Sequence, residues 1–238
     1  MITVAQAFSH IRHALGNSDP GAPLTLFEIV NAAGHELTGM HTWSWLDRTD
    51  TLDIVAGQSY VTLPSDFSRL VFLHSTGESF SVEPADPGTV LRERAFGGNE
   101  AFCFKFYVGQ TAPTTSSGPV ARLEHNWGTP AATSSDALSI VYRARWADVV
   151  GSETNALPIP DYMRPLFIEV LRATAQGWEE EQKGSKTDRM NAIYTGATFM
   201  AAKRIDDETQ FAYGPITNGA VRLDTWARNV TYATIEVV

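Results

Sequence analysis

The hydrophobic positions of this chain change period twice. Over residues 3–16, Val4, Ala7, Phe8, Ile11, Ala14 and Leu15 recur on one helical stripe, and Gly16 ends the run. The turn formers of NSDPGAP predict a loop. In the helix expected next, Leu26, Val30, Ala33, Leu37 and Met40 are spaced alternately four and three apart, a seam that packs on other helices, and it leads into HTWSWLDR. From Thr51 the period becomes two. TLDIVAGQSYVTLP holds two alternating runs about AGQ and predicts a hairpin. SDFSRLVFLHS, ESFSVEP, AFCFKFYV, GPVARLEHNW and ALSIVYRARW predict further strands, and the Gly-, Pro- and Ser-rich links between the later ones predict antiparallel pairing. PADPGTVLRERA predicts a short helix among them, with Asp86 or Thr89 near its start.

At Asn155 the helical period returns. Met163, Leu166, Phe167, Val170, Leu171, Thr174 and Trp178 form one face, Asp161 is the N-cap candidate, and Pro165 suits a first turn whose N–H needs no partner. Gly184 is expected to close this helix. The next, capped by Ser185 or Thr187, carries Met190, Ile193, Tyr194, Ala197, Met200 and Ala201 on its face and ends near RIDDE. Two helices before the β region and two after it predict an α+β fold: a four-helix bundle (residues 1–50 and 155–208) with an antiparallel β-domain (51–154) inserted between the second and third helices. The stiff LPIP segment reads as the return joint. Residues 209–238 form an extended C-terminal arm in which Phe211, Tyr213, Trp226, Tyr232, Ile235 and Val237 recur without helical period. An arm this apolar is costly to leave in water, so these six residues are the candidate partner-binding set, on another chain or folded back on their own subunit.

Charge narrows the function. The net charge is −9, the pI is about 5.1, and there is no basic run, which argues against a protein that grips phosphate but suits a wall past which nucleic acid slides. The start of the chain is polar every few residues and does not read as a signal peptide, and no apolar run reaches membrane-spanning length. The single cysteine, Cys103, lies among alternating aromatics and is expected as a buried strand thiol.

Candidate chemistry is sparse. The six histidines form no HExxH or HxH pair. His10 and His13, three apart, fit either a metal pair or a solvated helix face, and the second is the simpler reading. GxSxG and phosphate-loop patterns are absent. Asp206 with Asp207, and Glu179 to Glu181, sit at expected helix ends and read as solvated charge. A separated pair among Asp53, Asp66, Glu78, Glu83, Glu93 and Glu124 leaves glycoside hydrolysis as a minor alternative. Trp43 and Trp45 read as core plugs, or as a stacking platform for a sugar; the latter is the basis of an alternative function as a carbohydrate- or host-surface-binding module. No catalytic, cofactor or metal site is expected, and the chain is not expected to be an enzyme.

The order of these parts resembles a known family. HTWSWL ends the second helix. SYVTLPSDFSRL is similar to a Tyr-x-x-Leu-Pro-x-Asp-Phe-x-Arg turn at Tyr60, Leu63, Pro64, Asp66, Phe67 and Arg69. IVYRARWADV precedes LPIPDYMRPLFIEVLRATA, whose Pro160 and Tyr162 resemble a Leu/Ile-Pro-x-x-Tyr helix start, with one residue rather than two between them. In this arrangement, up to about residue 205, the chain resembles the head-to-tail connectors (adaptor, or tail tubular protein A type) of tailed bacteriophages. The resemblance implies a structural virion protein at the head–tail junction, present in the host cytoplasm during assembly. It implies a ring, commonly of twelve copies, that binds the portal on one side and a nozzle or other tail protein on the other. DNA passes through the lumen without sequence-specific binding, and neither a cofactor nor a membrane is involved.

Overall fold

The structure, a computed structural model, describes residues 1–16, 23–77, 80–96, 103–111, 120–179 and 183–212. The chain divides into two compact units: Met1–Leu46 with the described residues from Arg145 onward, and Asp47–Ala144.

The first unit is helical. Helix α1 (Val4–Ala14) starts at Thr3, whose hydroxyl accepts from the Gln6 amide while the Gln6 side chain accepts from the Thr3 amide, a reciprocal capping box. The next orphan amides, of Val4 and Ala5, donate to the carbonyls of Asn155 and Glu153, and the Leu157 amide donates to Ile2. The segment holding LPIP is therefore pinned along the start of α1, with Leu157 and Ile159 buried. Asp161 does not cap. Pro160 occupies the N-cap of the 3-10 turn Asp161–Met163, and the Asp161 carboxylate pairs with the Met1 ammonium. Behind this turn comes α4 (Arg164–Glu179), which packs against α1, α2 (Pro23–Met40), α5 (Lys183–Tyr194) and α6 (Ala197–Ala212). The expected face of α4 is buried through Thr174, while the Trp178 side chain lies outside the described residues; Ala173 and Ala175 are buried as well.

The expected helix end at Gly184 is not observed, since Gly184 lies inside α5. The single helix expected after it is broken at Thr195–Gly196, where the Thr195 hydroxyl bonds back to the Asn191 carbonyl, 3.1 Å away, and glycine weakens propagation. The break lets Phe199, Ala202 and Asp206 of α6 reach the interior.

The second unit is built of strands with one helix. β1 (Asp47–Ile54), β3 (Phe67–Ser75) and β7 (Ser134–Ala144) form a sheet in the order β1-β7-β3. β2 (Tyr60–Thr62), β4 (Ser81–Pro84), β5 (Cys103–Gln110) and β6 (Ala121–His125) form another in the order β2-β6-β5-β4. Alternate residues of both sheets, among them Leu52, Ile54, Val61, Phe104, Leu123, Leu138 and Ile140, share one core. In β3 a register shift between Leu70 and Phe72 lets Leu70 and Leu73, three apart, both face inward. The hairpin expected about AGQ does not form: β1 pairs with β7 and β2 with β6, so the turn at Gly57 (φ 76°) links strands of different sheets. Alternation selects a face of a strand, not its neighbour.

The α+β class holds, but the four-helix bundle with an inserted antiparallel β-domain is not what the chain forms. Among the described residues there are six α-helices and two sheets. Helix α3 (Pro87–Ala95) lies among the strands, capped by Asp86, which accepts from the Thr89 amide. It connects β4 to β5, and that pair is parallel because a helical crossover returns the chain in the same direction. Cys103 opens β5 half-buried rather than buried, its thiol pushed up mainly by loss of solvent.

Two consequences are testable. Gly34 lies in α2 directly beneath Trp146, where a Cβ would sit 2.1 Å from the indole ring. Trp146 is itself held by Asn31 (3.3 Å) and stacks on Phe167. Helix propensity alone would make Gly34→Ala stabilising by about 1 kcal/mol. The overlap predicts the opposite, a loss of about 1–3 kcal/mol in urea unfolding. The second concerns His125, fully buried against Phe104 with both ring nitrogens unpartnered. Burial, and next the Arg94 guanidinium, push its pKa down to about 4. The unfolded chain therefore takes up a proton below the ordinary value of 6.5 that the folded chain refuses. Stability is full above that value and falls by up to about 3 kcal/mol as the pH drops to about 4. In His125→Phe, the difference in urea midpoint between pH 7.5 and 4.5 is expected to shrink.

Candidate functional site

The residues of the helical unit that sequence reasoning singled out separately meet at one carboxylate. At the end of α2, Trp43 is fully buried and its indole N–H donates to the Leu37 carbonyl at 2.8 Å, satisfying an acceptor of the last helical turn. The chain then tightens into the 3-10 turn Ser44–Leu46. The amide at the start of that turn, on Ser44, donates to both oxygens of Asp206 (3.1 and 3.0 Å), and the Ser44 hydroxyl donates to Oδ1 at 2.7 Å. From the lead-in to α4, the Tyr162 hydroxyl donates to the same Oδ1 at 2.8 Å. Burial, and then this hydrogen bond, drive the Tyr162 hydroxyl well above its ordinary pKa, so it remains a donor. Asp206, read from sequence as solvated, is fully buried in α6. Its signal was its place four residues after Ala202 and seven after Phe199, on the helix face that turns inward.

The other motif forms a comparable joint in the β unit. The Tyr142 hydroxyl of β7 donates to Asp66 at 2.9 Å, and the Phe67 ring stacks on Tyr142 with centroids 5.9 Å apart. Tyr142 is pushed up to about 12, by burial first and Asp66 second. The Arg122 guanidinium lies over the Tyr60 ring at 4.9 Å, and Leu63 is buried. Arg69 is exposed. The third polar cluster belongs to α3: Arg94 donates to the carbonyls of Ser59 and His125 and to Glu124, while Glu93 accepts from Lys105 and Asn126.

These clusters brace the backbone; none aligns a nucleophile with a base. Of the carboxylates weighed for glycoside hydrolysis, Asp66, Glu93 and Glu124 are taken up in these structural contacts, and Glu78 lies outside the described residues. Trp43 belongs to the helical core and Trp45 is half-buried beside it, so they present no open stacking platform. His10 meets the Arg172 guanidinium at 3.5 Å, and burial followed by that cation lowers its pKa, which is a poor setting for a metal cation. One group of possible metal ligands does occur among the described residues: His41, Asp206 and Asp207. Of the predicted partner-binding residues, Tyr213, Trp226, Tyr232, Ile235 and Val237 lie outside the described residues, and Phe211 is placed only as part of the last turn of α6.

The sequence matches the model of the SU10 adaptor protein family over residues 2–222. The chain belongs to that family. Comparison with curated proteins gives no match. The resemblance to phage head-to-tail adaptors therefore stands at family level. As an SU10 adaptor the chain is a structural, phage-related protein rather than one of an enzyme family, a component of the virion that meets other head and tail proteins. Among the described residues no helix is long and apolar enough to cross a membrane. Tyr162→Phe is expected to lower stability by about 1–2 kcal/mol, and Asp206→Ala, which orphans the Ser44 and Tyr162 donors together, by about 3 kcal/mol or more, both measured by chemical denaturation.

Proposed function

We propose that this SU10-family adaptor assembles into a ring, commonly of twelve copies in such connectors, that joins the portal to a nozzle or other tail protein and lets DNA pass through its lumen. The family match over residues 2–222 carries this reading. The charge of −9 supports a lumen that does not hold DNA, since each phosphate contact would add salt-dependent grip to a strand that must move. The arm from Phe211 to Val238 is the docking element in this proposal. Trp226, Tyr232 and Ile235 are its anchors, and TYATIEVV, alternating like a strand, is suited to a sheet edge.

Electron microscopy of the purified chain, alone and mixed with the portal, tests the ring; particles that stay monomeric in both would overturn it. A chain ending at Gln210 separates the roles of the arm. Retained melting temperature with loss of ring formation or portal binding supports docking, whereas melting far below the full chain assigns the arm to its own subunit.

A further inference from the structure

We propose that His41, Asp206 and Asp207 bind a divalent transition-metal ion, with Zn2+ the best match and Mn2+ the next. The donor atoms of these three side chains all lie within 4.8 Å of one another. A metal about 2.1 Å from each nitrogen and oxygen donor sets neighbouring donors about 3–3.5 Å apart. His41 Nε2 and Asp207 Oδ1, at 3.6 Å, stand close to that spacing before any adjustment. At the same time they are too far apart for a hydrogen bond, and His41 Nε2 is shielded from solvent without a hydrogen-bond partner. A sequestered ring nitrogen that makes no hydrogen bond, facing a carboxylate across such a gap, is accounted for by an ion between them.

The surroundings fit the same chemistry. The His41 ring is held edge-on against Trp43, with centroids 4.8 Å apart at 82°. Asp206 is held by the Ser44 amide and hydroxyl and by the Tyr162 hydroxyl, the kind of outer-shell hydrogen bonding that fixes a ligating carboxylate. Asp207 is partly open to solvent, which gives an ion a path in and leaves room for water to complete its coordination. One imidazole with two carboxylates is a mixed donor set suited to Zn2+ or Mn2+; Mg2+ and Ca2+ prefer oxygen alone. Such an ion would tie the end of α2 to α6 and make the helical unit's stability depend on it.

The test uses the full-length, tag-free chain stripped with a chelator. Calorimetric titration with Zn2+ and Mn2+, with Mg2+ as comparison, is run at neutral pH beside thermal melts with and without each metal. One Zn2+ per chain is expected, with a rise in melting temperature, and at least about tenfold weaker binding together with loss of that rise in His41→Gln and in Asp207→Asn. A His10→Gln, His13→Gln double variant should keep both effects, which separates this site from the other histidine pair. Asp207 is partly exposed, so Asp207→Asn decides the outcome if His41→Gln does not fold. The proposal is overturned if the parent shows no saturable Zn2+ or Mn2+ binding, so that His41 and Asp207 form only a loose ion pair. It is overturned equally if Asp207→Asn binds both metals as tightly as the parent.

Discussion

The helical unit depends on one constraint: α4 must be covered on almost every side. Leu166, Phe167, Val170, Leu171, Ala173, Thr174 and Ala175 are all buried, and the partly or fully exposed described residues of the helix beyond its first turn form a strip that includes Arg172. An ordinary surface helix buries one stripe and exposes the rest. A helix buried on this scale needs neighbours all round, and α1, α2, α5 and α6 supply them. Small residues set how closely they come. Gly34 of α2 admits Trp146, and Gly177 of α4 sits where a Cβ would meet the Lys186 stem at 2.9 Å.

With the apolar faces committed in this way, chain ends and turns are left with polar groups that must be paired inside the protein. Each unit pairs them by a similar device, a tyrosine hydroxyl donating to an aspartate distant in sequence: Tyr162 to Asp206 in the helical unit, Tyr142 to Asp66 in the β unit. Asp206 also serves as a remote cap for the Ser44 turn. Hydrogen bonds to a carboxylate are worth about 1.5–3 kcal/mol, and leaving such donors buried and unpaired costs a similar amount. These joints therefore penalise any other packing of the same segments. His41, beside Asp206, is one place where this pairing is incomplete, as His125 is in the β unit.

The chain belongs to the SU10 adaptor family, a family of structural proteins. Several motif residues are internal fasteners: Leu63, Trp43 and Met163 are core, and Asp66, Tyr162 and Ser44 are hydrogen-bonded joints, while Arg69 is exposed. Among the apolar side chains left in water, Met200 and Ile205 sit on α6, whose inner face gives Phe199 and Ala202 to the core.

By itself the sequence determined where most elements run and which face of each is apolar. Period and capping suffice for that, as Thr3 with Gln6 at α1, Asp86 at α3 and the inward face of α4 show. The motif order also carried the family. Partners were another matter. The alternation on either side of AGQ could not tell a hairpin from a passage between sheets, because it specifies a face and not a neighbour. The helix breaks at Thr195–Gly196 but runs through Gly184, so a glycine in the sequence does not by itself say where a helix ends. The joining of Ser44, Tyr162 and Asp206 spans 162 residues and obeys no spacing rule. Nor could adjacent aspartates in a polar stretch show which of them would be buried. Only folding places Asp206 inside and Asp207 at the rim beside His41, since the desolvation of a carboxylate is tolerated where donors have already been brought to meet it.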